Sequence, residues 1–134
     1  MIVVLDTNVL VSGVLKPYSP AASILRMLVE GVIQPAYDLR ILAEYREVLS
    51  RPKFSFDREV VKPLLDQIEE EGVLISASPL KSPLPDPADE PFLEVAVAAA
   101  AAALVTGNRR HFPRRSYGAV KILSPSEFLE ILRL

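Results

Sequence analysis

Ile2-Val3-Val4-Leu5-Asp6-Thr7-Asn8-Val9-Leu10 is the stretch that decides the fold. Four consecutive aliphatic residues without alternation describe a strand buried on both faces, the pattern of a parallel sheet. Asp6 stands where that strand leaves the core. In open α/β sheets ligands bind outside the carboxyl ends of the strands. A carboxylate drawn out of water at such a place needs a partner.

Beyond this strand, helix-like and strand-like segments alternate, which argues for βαβ units and an α/β fold with a parallel sheet. A short helix is expected over 7–15, ended by Lys16-Pro17. A second follows over 21–30, with Ile24, Leu25, Leu28 and Val29 at helical spacing and Gly31 as its stop. A strand at 32–36 leads to Asp38, a good N-cap for a helix over 39–50 that Pro52 closes. Another helix spans 57–71 and ends at Gly72, before a strand at 73–75. Residues 76–91 hold Pro79, Pro83, Pro85, Pro87 and Pro91 and form an irregular connection within one domain, residues 1–134. A helix then runs to about residue 102, its alanine run 98–103 packing closely on the sheet. A strand at 103–106, a polar loop at 107–118 and a strand at 120–123 follow. Ser124-Pro125-Ser126-Glu127 is a capping box that starts the last helix.

A chain of 134 residues, half of them hydrophobic, is long enough to bury a substantial core. It has no cysteine, so disulfides and thiolate metal sites are excluded and a reducing, cytoplasmic setting is expected. No signal peptide is visible at Met1-Ile2-Val3, and the weakly polar stretch 95–106 is too short to span a bilayer. The net charge of −2 supplies no global attraction to nucleic acid, so polyanion binding would need a local basic patch.

Acidic residues recur at points the topology could bring together. On the helix over 39–50, Ile41, Leu42, Tyr45, Val48 and Leu49 form the core stripe and Glu44 borders it, whereas Glu47 points to solvent. The plain alternative for Glu44 is a surface pair with Arg40. Asp86, Asp89 and Glu90 precede the helix that begins near Phe92, and three acids in five residues exceed what one cap needs. Asn108 and Thr106 end another strand and could hold a metal-bound water or orient a carboxylate; a simple Gly-Asn turn is the competing account. Clustered carboxylates repel one another unless a divalent cation neutralises them. Oxygen-rich sites without histidine or cysteine suit Mg²⁺ or Mn²⁺, which promote phosphodiester cleavage. The single histidine, His111, is expected to be a loop or packing residue.

These blocks resemble the PIN-domain family, in particular the group regarded as toxin components of toxin–antitoxin systems. The resemblance rests on Val4-Leu-Asp-Thr-Asn-Val9, Glu44-Tyr-Arg-Glu-Val-Leu49, Asp86-Pro-Ala-Asp-Glu-Pro-Phe-Leu-Glu94, Leu104-Val-Thr-Gly-Asn-Arg-Arg-His-Phe-Pro113 and Ser124-Pro-Ser-Glu-Phe-Leu129. It implies a three-layer α/β/α sandwich with strand order 3-2-1-4-5 and a Mg²⁺- or Mn²⁺-dependent ribonuclease. The family's acids fall on Asp6, on Glu44 and in the Asp89-Glu90 pair; Asp89 is the first choice, with Glu90 and Asp86 open. Its fourth position, often aspartate, is Asn108 here, which removes one negative charge. The resemblance thus implies Asp6, Asp89 and Glu90 as metal ligands, Glu44 and Asn108 beside them in catalysis, and Asn8 and Thr106 as supports. Arg109, Arg110, Arg114 and Arg115 would be an RNA-binding rim or else a solvated loop. A homodimer and a small antitoxin protein are the partners it implies.

Two other classes that begin with a strand and a ligand-binding turn are disfavoured. A haloacid-dehalogenase-type phosphatase needs a second aspartate at the position of Asn8, and a dinucleotide-binding domain needs glycines where only Gly13 is near. The remaining alternative is a PIN-like domain without catalysis that binds RNA or protein.

Overall fold

The computed structural model describes residues 1–133. In chain order its elements are β1 (Ile2–Leu5), α1 (Thr7–Leu15), α2 (Pro20–Val29), β2 (Gln34–Tyr37), α3 (Leu39–Leu49), α4 (Arg58–Glu71) and β3 (Val73–Leu74). They continue with α5 (Glu90–Ala98), β4 (Ala103–Val105), β5 (Ser116–Tyr117), β6 (Val120–Leu123) and α6 (Pro125–Leu132). The sheet runs β3-β2-β1-β4-β6-β5, parallel throughout except for the β5–β6 pair. Without that added edge strand, this is the expected order 3-2-1-4-5.

β1 lies at the centre because it can be buried on both sides. Successive strand residues point to opposite faces, yet Val3, Val4 and Leu5 are all fully buried. Helices therefore cover both faces of the sheet. α5 packs on β1, β2 and β4, while α6 packs on β4, β6 and α2, and α1 pairs with α2. The α1–α2 approach is close: a Cβ on Gly13 would lie 2.5 Å from Leu25 Cδ1. Among the described residues no helix is long and apolar enough to cross a membrane.

Caps mark most helix starts where the sequence places them. Ser19, Asp38 and Asp57 accept backbone N–H bonds at the starts of α2, α3 and α4, and the capping box of Ser124 and Glu127 is complete. Three expectations are corrected. β2 starts two residues later than expected, because α2 ends in a Schellman motif that consumes the following residues. Gly31 takes φ +78°, and Val32 N–H bonds Met27 O at 2.9 Å. The alanine run is not one tightly packed helix. α5 ends at Ala98, Ala100 is left-handed at φ +48°, Ala101 N–H bonds Ala96 O at 3.0 Å, and Ala103 already belongs to β4. The run is thus helix end, turn and strand start, since α5 must stop for the chain to re-enter the sheet beside β1. Finally, the polar loop 107–118 contains a short 3₁₀ turn at Arg109–His111 and the strand β5, folded back on β6 through Gly118 at φ +60°.

Candidate metal centre

The carboxyl end of β1 is held in place by its neighbours. Asp6 N–H bonds Val105 O at 2.9 Å, tying β1 to β4 at the sheet's upper edge. The buried Tyr45 hydroxyl of α3 donates to Leu5 O, clamping α3 against the end of β1. Burial first, then the charges of Asp6 and Glu44, push the Tyr45 hydroxyl well above its usual range, so it stays a neutral donor.

That clamp brings Glu44 next to α1, where the Thr7 hydroxyl donates to its Oε2. Glu44 makes no pair with Arg40, which bonds Asp38 and Glu94 instead. Asp6 itself is buried, and its Oδ2 accepts from the Thr106 hydroxyl at 2.8 Å and from Asn8 Nδ2 at 3.3 Å. Both donors are anchored in turn: Asn108 N–H bonds Thr106 Oγ1 at 3.0 Å, and Gly107 N–H bonds Asn8 Oδ1 at 2.9 Å. Donors of this kind fix carboxylate rotamers around a metal.

Asp89 arrives from the segment before α5. Asp86 caps the 3₁₀ turn Pro87–Asp89 by accepting Ala88 N–H at 2.9 Å. Asp89 precedes α5 but makes no capping bond with its side chain, so its carboxylate is available elsewhere. It is buried and receives His111 Nδ1 at 3.1 Å on Oδ2. Ligand atoms of Asp86, Asp89 and His111 all lie within 4.8 Å of one another.

The acids share one electrostatic environment. Burial pushes the Asp6 carboxyl up to about 6, Thr106 opposes it, and the charges of Asp89 and Glu44 raise it further. Asp89 is also raised, first by burial, with His111 opposing and Asp86 and Glu44 reinforcing. Among the described residues no lysine or arginine pairs with Asp6, Glu44 or Asp89. Among the described residues the group whose ligand atoms converge is Asp86, Asp89 and His111, a set that could hold a divalent cation, while Asp6 and the half-buried Glu44 act on Asp89 and on each other through their charges.

The other residues singled out in the sequence are placed differently. Glu90 turns to the preceding loop, where its Oε2 accepts Leu84 N–H at 2.9 Å. Asn108 is exposed and contributes its backbone, through the bond to Thr106. Arg109 pairs with Glu127, and Arg114 lies over the Tyr117 ring at 5.3 Å, whereas Arg110 and Arg115 are exposed. His111 is no packing residue: it is exposed and pairs with Asp89. Thr7 and His111 are the contacts that sequence reasoning missed. Thr7 could have been noticed as a hydroxyl at the first helical position after Asp6; nothing in the spacing of His111 points across to Asp89.

The PIN domain profile matches residues 2–110, and the chain belongs to that family. No curated protein matches the sequence. The match ends within the Arg109–His111 turn, so it takes in β1, Glu44, the Asp86–Asp89 segment and β4.

Proposed function

We propose that this PIN-domain protein is a metal-dependent endoribonuclease that hydrolyses phosphodiester bonds of single-stranded RNA, the toxin of a toxin–antitoxin pair. The observation that carries the reading is the buried Asp6 carboxylate, held by Thr106 and Asn8 without a lysine or arginine partner among the described residues and raised by burial and by the charges of Asp89 and Glu44. The toxin role, a homodimer, a small antitoxin partner and a cytoplasmic setting rest on the five-block resemblance alone.

Asp6 and Asp89 would hold Mg²⁺ or Mn²⁺, with Asp86 and His111 at the margin. Glu90 is the weaker ligand candidate, since one of its oxygens is committed to Leu84. When bound, the ion supplies charge stabilisation at the phosphoryl oxygens and lowers the pKa of water. Thr106 and Asn8 keep Asp6 in one rotamer throughout. Thr7 holds Glu44 by Oε2, which leaves Oε1 to accept a proton from the attacking water. The exposed Asn108 would donate to a phosphate oxygen. The exposed Arg110 and Arg115 would be cations for the flanking backbone, with Arg109 and Arg114 as further candidates.

Incubating purified protein with single-stranded RNA tests this. Cleavage is expected with Mn²⁺ or Mg²⁺, none with chelator, and none from Asp6→Asn. Absence of any metal-dependent cleavage would sink the nuclease reading and favour a PIN domain that binds RNA or protein without catalysis.

A further inference from the structure

Five of the fifteen lysines and arginines fall within residues 46–62: Arg46, Arg51, Lys53, Arg58 and Lys62. Neither the acid pocket nor the fold explains this concentration. The segment joins α3 to α4, and the two helices form a groove of about 920 Å³ lined by Arg46, Arg51, Arg58, Lys62 and Phe56. At its edge the Phe54 and Phe56 rings stack in parallel, 5.0 Å apart, and Lys53 Nζ lies 5.1 Å from the Phe54 ring. Two turns of backbone hold this aromatic pair, with Phe54 N–H on Arg51 O and Ser55 N–H on Pro52 O.

We infer that this groove is a second subsite for single-stranded RNA, with Arg51 and Arg58 meeting phosphates and the half-buried Phe54–Phe56 stack meeting a base. The inference rests on the ribonuclease reading and gives its substrate a path. Cationic grooves with stacking aromatics suit single strands because every base has a π-face. Arg58 and Lys53 have no carboxylate partner among the described residues. Arg46, Arg51 and Lys62 pair only with the exposed acids Glu69, Glu47 and Asp66. Exposed pairs of this kind contribute little, so exchanging a carboxylate for a phosphate costs little.

One helix, α3, carries both Glu44 and part of the groove's lining. Arg51 follows Glu44 by seven residues on and just past α3, about two helical turns or roughly 10 Å. The Arg51 guanidinium is held above its usual range by Glu47, bonded to it, and more weakly by the charge of Glu44. A single strand with one phosphate at the acids would therefore have Arg51 within reach of its flanking backbone.

Fluorescence anisotropy of a labelled oligouridine, titrated with protein in chelator across a salt series, tests the groove without cleavage. The double variant Arg51→Ala/Arg58→Ala should weaken binding roughly tenfold and lower the salt slope by about 1.4, two phosphate contacts for a single strand. Its melting temperature should stay near that of the wild type, because both side chains are exposed. Lys121→Ala, on the exposed side of β6, should keep full affinity. Unchanged affinity and slope in the double variant, or no RNA binding by the wild type, would overturn the inference. So would displacement of the RNA by equimolar polyglutamate, which would assign the groove to an acidic protein segment. Chelator separates the two readings: binding lost in the variant while the wild type never cleaves would condemn only the nuclease reading. Metal-dependent cleavage with the variant's binding intact would condemn only the groove.

Discussion

At the residue scale, Asp6 is a charge the metal-free fold does not want at neutral pH. Its folded pKa of about 6 exceeds the ordinary value of 3.8, so the folded state binds the proton more tightly than the unfolded chain. This favourable contribution is full below about pH 4 and is lost as pH rises through 6. The difference amounts to roughly 3 kcal/mol at neutral pH. Metal-free protein is therefore expected to melt lower at pH 7 than at pH 5. Asp6→Asn, which removes the charge and can still accept from Thr106, should raise the metal-free melting temperature at pH 7 by roughly 4–10 °C. Thermal unfolding in chelator at both pH values checks this; a variant that melts below the wild type at pH 7 would refute it. The sequence was informative about Asp6 because a carboxylate ending an uninterrupted apolar strand is anomalous on its face. His111 carried no such local signal, since its contact with Asp89 spans twenty-two residues and depends on how the loop after β4 folds back.

At the scale of elements, two helices end in the same motif with different residues. α2 closes through Gly31 and α5 through Ala100, both left-handed, and each is followed by an N–H bond back to the helix. A left-handed alanine costs about 1–2 kcal/mol, of which glycine's extra unfolded-state freedom takes back part. Ala100→Gly should therefore stabilise the protein by about 0.5–1 kcal/mol, and Gly31→Ala should destabilise it by a similar amount. Nothing lies within 4 Å of a Cβ built on Gly31, so that second change reports backbone conformation alone. Urea denaturation midpoints measure both; shifts of the same sign would disprove the account. Glycine advertises such a helix end and alanine hides it, which is why α2's stop was legible and α5's was not. Gly72, between α4 and β3, answers a different need at φ −78°: a Cβ there would lie 2.3 Å from Ile68 O and 2.7 Å from Pro35 O.

At the scale of the whole molecule, the net charge of −2 conceals an uneven distribution. Acids gather at the upper edge of β1, and cations gather along the α3–α4 connection and the loop after β4. A divalent ion that binds only the folded state stabilises it by mass action, about 2.7 kcal/mol at a hundredfold excess over its Kd. Mn²⁺ should accordingly raise the wild-type melting temperature at pH 7 by several degrees. The rise should shrink below pH 6, where protons compete for Asp6, and should vanish in Asp6→Asn. Differential scanning calorimetry with and without Mn²⁺ decides it, and an equal rise in the variant would place the ion elsewhere.

The sequence by itself determined the alternation of elements, the burial of β1 on both faces and Asp6 as an anomalous acid, whereas Glu44 read as well as a surface partner of Arg40. Those are local properties: apolar runs, helical spacing, caps and a charge where none is expected. Only the tertiary structure decided which groups meet. Tyr45 on Leu5 brings α3 to the head of β1, Thr7 then captures Glu44, and Glu90 is drawn off to Leu84 while its buried neighbour Asp89 meets His111. Which partner Asp89 and Glu90 each meet turns on the direction their side chains take from one short 3₁₀ turn. Residue types and spacing do not encode that direction, because it is set by contacts among segments far apart in the chain.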